Sequence, residues 1–259
     1  MQDRNGARDL GLIVATLAVL GRFVAEMPLY VAAALAVVVA TAGTAGLLGE
    51  SRPWRWPLDR VVLPGLAAFA AMGTARLVEP VPWLAFAFVG SWLVVTWVVG
   101  IEIAAGEVDG VHARSTSARL GAFGLAFLGF AAIGGLVPGG LAGDGEPLTV
   151  SAFLGTVALD VAIGGLAGYR IATLRPHTPG EAVVAFYQYS MILAPAGVLV
   201  RVLAVPRLFG PAVLVLATYL VTSLRESEKP VRFNVRLLEE TAVLALAGAL
   251  VIVVGLLVR

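Results

Sequence analysis

Nine apolar runs, each about as long as a helix needs to cross a bilayer, constrain this 259-residue chain more than any other feature. A hydrocarbon core of ~30 Å takes ~20 helical residues. Runs of that kind, bounded by Pro, Gly or charge, fall at 9–25, 28–48, 61–78, 81–101, 120–138, 149–168, 182–204, 207–224 and 238–258. Composition agrees, with 59% apolar and 14% charged residues where a soluble domain has ~45–50% and ~25%. The expected fold class is all-α: a polytopic integral membrane helical bundle of nine transmembrane helices, arranged largely as hairpins in one transmembrane domain over 1–259. Pro28, after Arg22 and Glu26, separates the first two runs, which otherwise read as one long helix.

Nine spans also sort the charges. Arg4, Arg8, Arg52, Arg55, Arg60, Arg114, Arg119, Arg170, Arg175, Arg225, Lys229, Arg232 and Arg236 fall on one side, and Arg22, Arg76, Arg201, Arg207 and Arg259 on the other. Basic residues in short loops stay cytoplasmic, so the N-terminus is expected inside and the C-terminus outside, in the cytoplasmic membrane of a prokaryote. Arg4 and Arg8 before the apolar stretch 10–21 resemble the start of a signal peptide, but Arg22 and Glu26 make a poor cleavage region, and the stretch is read as a retained span. Two cytoplasmic segments have the pattern of headgroup anchors: Arg52, Trp54, Arg55 and Trp56, and the mixed apolar and charged stretch 232–240.

Three hairpins share a spacing. Arg22, Pro28 and Thr41 recur as Arg76, Pro82 and Thr96, and again as Arg201, Pro206 and Thr218. In each, the Arg ends one span on the outer side and the Pro opens the next, where a missing N–H costs nothing. Arg22 has Glu26 four residues on and Arg76 has Glu79 three residues on, spacings that let each pair neutralise itself along a helix. Arg201 has no acid nearby in sequence, and it is the outer Arg expected to meet a substrate.

Ionisable groups too deep to snorkel carry the functional signal, because each costs several kcal/mol in hydrocarbon unless it faces a partner or a wet cavity. Asp160 lies ~16 Å into the sixth run at ~1.5 Å per residue. The seventh run opens with Tyr187, Gln188, Tyr189 and Ser190, ahead of Pro195. Thr41, Ser91, Thr96 and Tyr219 fall at middle or inner depth in their runs, so a polar layer around Asp160 is expected. The candidate binding residues are Asp160, Tyr187, Gln188, Tyr189 and Arg201. Gly164 and Gly168 form a G-x-x-x-G, and Gly121, Gly124, Gly129 and Gly134 line the fifth run, so these helices can approach closely.

Missing residues exclude several chemistries. There is no Cys, the only Lys is Lys229, and the two His residues, His112 and His177, fall between apolar runs. A Schiff-base lysine in the bundle, a buried bis-His haem and a zinc site are therefore not expected, nor is any other metal, cofactor or catalytic group. A net charge of +1 gives no field for nucleic acid. Residues 109–114, Asp-Gly-Val-His-Ala-Arg, resemble the opening D-G-x-x-A-R of the CDP-alcohol phosphotransferase family. That family's paired cations need further aspartates, whereas Gly106 stands upstream and the run 120–138 has no acid, so six residues carry no assignment. The leading expectation is a small permease or membrane-embedded small-molecule or lipid-binding protein built on Asp160. The alternatives are a non-catalytic subunit or assembly factor of a membrane complex, partnered by other subunits or by itself, and an inner-leaflet lipid-modifying enzyme using Arg114, Arg170 or Arg175.

Overall fold

The computed structural model describes residues 2–24, 26–49, 57–79, 81–105, 111–137, 149–174, 178–203, 205 and 209–227, and every regular element among them is helical. In chain order these are α1 (Gln2–Gly21), α2 (Glu26–Leu47), α3 (Leu58–Leu77), α4 (Leu84–Ala104, entered by a 3-10 turn at Val81–Trp83), α5 (Val111–Leu136), α6 (Val150–Thr173), α7 (Pro179–Val202) and α8 (Phe209–Ser227). The first eight expected runs each correspond to one helix. Among the described residues, six helical segments are long and apolar enough to cross a membrane, in α2 to α7, while the one in α8 is shorter. The ninth run, 238–258, lies outside the described residues, as do both expected anchor segments and Asp109 and Gly110 at the start of the D-G-x-x-A-R stretch.

Helix ends differ from run ends where charge begins. α1 starts at Gln2 rather than 9, taking in Arg4, Arg8 and Asp9, and α5 starts at Val111 rather than 120, taking in Arg114 and Arg119. Hydropathy marks where oil starts, whereas Gln and Arg are good helix formers that carry the coil on into the headgroups. α1 stops at Gly21, where three successive i to i−3 bonds, from Arg22, Phe23 and Val24, close the turn.

α3 is the hub, packing on α1, α2, α4, α5 and α6. Of its apolar stretch 67% is buried, against 22% for α4 at the periphery. Small side chains make this possible: Ala67, Ala68, Ala71, Gly73 and Ala75 are all buried. A methyl on Gly73 would lie 2.2 Å from the carbonyl oxygen of Ala132, and one on Gly135 2.0 Å from that of Gly73, so α3 and α5 touch backbone to backbone. In lipid no hydrophobic force draws helices together, and such close van der Waals approach takes its place.

The first two hairpins embrace each other. α1 packs on α4, and α2 on α3. Gly11 on α1 seats Thr96 of α4, and Gly65 on α3 seats Thr41 of α2: an added methyl would come within 2.3 Å and 3.0 Å of those side chains. Arg22 donates from Nη1 to the carbonyls of Arg76 (2.9 Å) and Ala75 (3.4 Å), while Arg76 donates from Nη1 to Val24 (3.0 Å) and Gly21 (3.3 Å). Each arginine thus caps the C-terminal end of the other's helix, bonding carbonyls at or just past that end and opposing the negative end of its dipole. The expected pairs along one helix with Glu26 and Glu79 do not fit the helix bounds, and the Glu26 side chain lies outside the described residues. Gly21 has already ended α1 before Glu26, and Glu79 lies beyond the end of α3 and is exposed, so neither pair shares a helix face.

Candidate functional site

The candidate site stands on the antiparallel pair α6–α7. Thr149 caps α6 by accepting from the N–H of Ala152 (3.2 Å). Thr178 starts α7 with a capping box, its hydroxyl accepting from Glu181 N–H (3.3 Å) while the Glu181 carboxylate accepts from Thr178 N–H (3.2 Å). One register then runs down the interface in steps of a turn. Gly168 faces Tyr189, Gly164 faces Leu193, and Gly197 faces Asp160, with added methyls falling 2.3, 1.7 and 2.7 Å from those side chains. Residues four apart share a helix face, which is why the G-x-x-x-G and Asp160 meet one partner.

Asp160 is fully buried and forms an ion pair with Nη1 of Arg201, itself buried. The arginine does not snorkel outward. It folds back along α7, with Nη1 also donating to the carbonyl of Gly197 (3.1 Å). Gly197 is therefore the position that lets the pair form, because any side chain there would occupy the space of the carboxylate. Asp160 Oδ1 and Arg201 Nε have no hydrogen-bond partner among the described residues. The structure thus brings together two of the candidate residues and supplies Arg201 with the acid its own neighbourhood lacks.

The remaining candidates do not join them. Tyr189 is buried two turns away along α7, ~12 Å at ~1.5 Å per residue. Its hydroxyl lies 2.6 Å from Thr222 Oγ1 on α8, and since Thr222 donates to the carbonyl of Thr218 (2.9 Å), Tyr189 is the donor. Tyr187 is 62% exposed on the outer face of α7, its ring edge-on to Phe186. Gln188 Oε1 is buried with no partner among the described residues. Nor do the other polar side chains form one layer with Asp160. Thr41 bonds carbonyls of its own helix, at Val37 (2.9 Å) and Val38 (3.0 Å), and Tyr219 is 41% exposed. Thr41 and Tyr219 are thus not joined to the Asp160 pair, since polar residues on different faces of their helices point to different neighbours.

A second buried ion pair was not foreseen. Glu102 on α4 and Arg170 on α6 meet fork to fork, Nε to Oε1 at 2.9 Å and Nη2 to Oε2 at 2.6 Å, with side chains 0% and 3% exposed. Arg170 Nη1 donates to Thr173 Oγ1 (3.0 Å), so carboxylate and guanidinium are both well satisfied. Sequence reading placed Arg170 among the cytoplasmic arginines and passed over Glu102, one residue past the end of its run. The available signal was an acid and a base each within a turn of the ends of two apolar runs that the nine-run reading puts on one side. α6 is therefore tied by charge at two levels, to α7 through Asp160 and to α4 through Arg170, ~15 Å apart along its axis. No family model, curated protein or solved structure matches the chain, so its chemistry is read from these residues alone.

Proposed function

We propose that this chain is a small permease or membrane-embedded binding protein whose site is built on Asp160 and Arg201. The observation that supports this is the incomplete satisfaction of a sealed charge pair: one carboxylate oxygen and one guanidinium N–H are buried without a partner among the described residues. Ionisable residues held in hydrocarbon mark ligand or ion paths by default, and a half-satisfied pair is one that a small ligand with a donor and an acceptor can complete. The proposed setting is the nine-span topology with the N-terminus cytoplasmic and the C-terminus outside, supported by thirteen of the 18 basic residues falling on one side.

The test uses the purified full chain with a set of small carboxylates and amines, read as a rise in melting temperature. At least one compound should stabilise the native chain and have no effect on Asp160→Asn or Arg201→Gln, both of which must still be folded. If none does, and Asp160→Asn combined with Arg201→Gln is less stable than the native chain, the pair only joins helices. That outcome favours a non-catalytic subunit, for which the seal around both ion pairs speaks. A lipid-modifying enzyme is less well supported, because Arg170, one of its three proposed phosphate ligands, is committed to Glu102.

A further inference from the structure

A groove of about 470 Å³ runs between α1 and α4, lined by Arg8, Trp92, Leu93, Thr96 and Trp97. None of its lining residues is on α6 or α7, and it does not depend on how that pair is used. Its walls are fixed in place: the Trp92 indole N–H donates to the carbonyl of Arg8 (3.2 Å), and the Trp97 ring lies where a methyl on Gly121 of α5 would come within 3.2 Å. Its floor is hydrocarbon facing outward, with Leu93 55% and Trp97 50% exposed on the helix of the bundle whose apolar stretch is least buried. Among the described residues one cation, Arg8, lines it. Arg8 lies one turn from Gly11 toward the start of α1, on the side where basic residues collect, and Asp9, next in the chain, does not share its face.

We propose that this groove holds an anionic phospholipid, one acyl chain lying along Trp92, Leu93 and Trp97 and the phosphate on Arg8. Charge complementarity selects this occupant. A helix α4 that crosses the bilayer turns this face to lipid, the Trp92 and Trp97 rings give an acyl chain a flat apolar wall, and a guanidinium near the start of α1 binds a phosphate fork to fork. The chain has five Trp residues. Replacing Trp54, Trp56 and Trp83 with Phe leaves Trp92 and Trp97 as reporters in the otherwise intact protein.

Quenching of those two indoles by acyl-brominated lipid is then compared in vesicles, with phosphatidylglycerol or phosphatidylcholine as the brominated species. Phosphatidylglycerol should be preferred about fivefold, the effect of one basic residue near an anionic surface. Arg8→Gln should bring the two lipids to parity, and Arg8→Lys should keep most of the preference. Equal quenching of the native groove by both lipids overturns the proposal, as does a preference that survives Arg8→Gln. Quenching by neither would mean that protein covers this face, which also overturns it.

Discussion

At the scale of single residues, the two ion pairs differ in how completely they are satisfied, and they should answer mutation differently. Glu102 and Arg170 leave little unmet, so removing one partner strands a charge with no water to take it up. Arg170→Met should cost about 3–5 kcal/mol, and adding Glu102→Leu should recover most of that loss, because two apolar side chains of similar volume replace a desolvated pair at little net change. Reversible unfolding in mixed micelles measures both. If the double variant is as weak as the single one, the pair is not isolated from other charges. Asp160 and Arg201 were each legible in the sequence as residues with something to do, one for its depth and the other for its lack of a nearby acid. Their partnership was not, because 41 residues separate them and only the α6–α7 register brings them together. Glu102 escaped notice for a different reason. At the edge of an apolar run, a charge that turns inward and one that reaches for water have the same sequence context.

For the helices as elements, glycine placement decides how near two backbones come, and the consequence depends on what each glycine faces. Gly168→Ala should destabilise the chain by about 1–3 kcal/mol, since the added methyl would meet the near end of the Tyr189 ring at 2.3 Å and the ring's own hydroxyl is anchored to α8. Gly124→Ala should be neutral or stabilising by up to about 1 kcal/mol, because nothing lies within 4 Å and alanine is the better helix former. Thermal unfolding of the two variants side by side checks the contrast. The sequence showed both glycines on helices, and it marked Gly164 and Gly168 as a close-packing face. It held no sign of which helix would use that face, nor that Gly124 would meet nothing. Helix identity follows from a periodicity carried within each segment, whereas helix pairing depends on shape matches between segments distant in sequence.

For the molecule as a whole, the order of the first eight helices was legible because each apolar run is bounded by its own punctuation. Sidedness rests on charge, and the absence of Cys makes it directly testable. In Glu79→Cys a thiol should react with a membrane-impermeant maleimide added to intact cells, and in Thr178→Cys only after the membrane is opened; both positions are exposed. The reverse pattern would invert the orientation, and reaction of both from outside would mean a missed crossing. The crossed arginines carry a consequence of their own. Arg22 on Ala75 and Arg76 on Gly21 form a self-complementary contact, the geometry of a two-fold dimer folded into one polypeptide. Each hairpin is then an acceptable mate for the equivalent hairpin of a neighbouring copy. A copy that exchanged its first hairpin with a neighbour would keep all four arginine bonds of the contact.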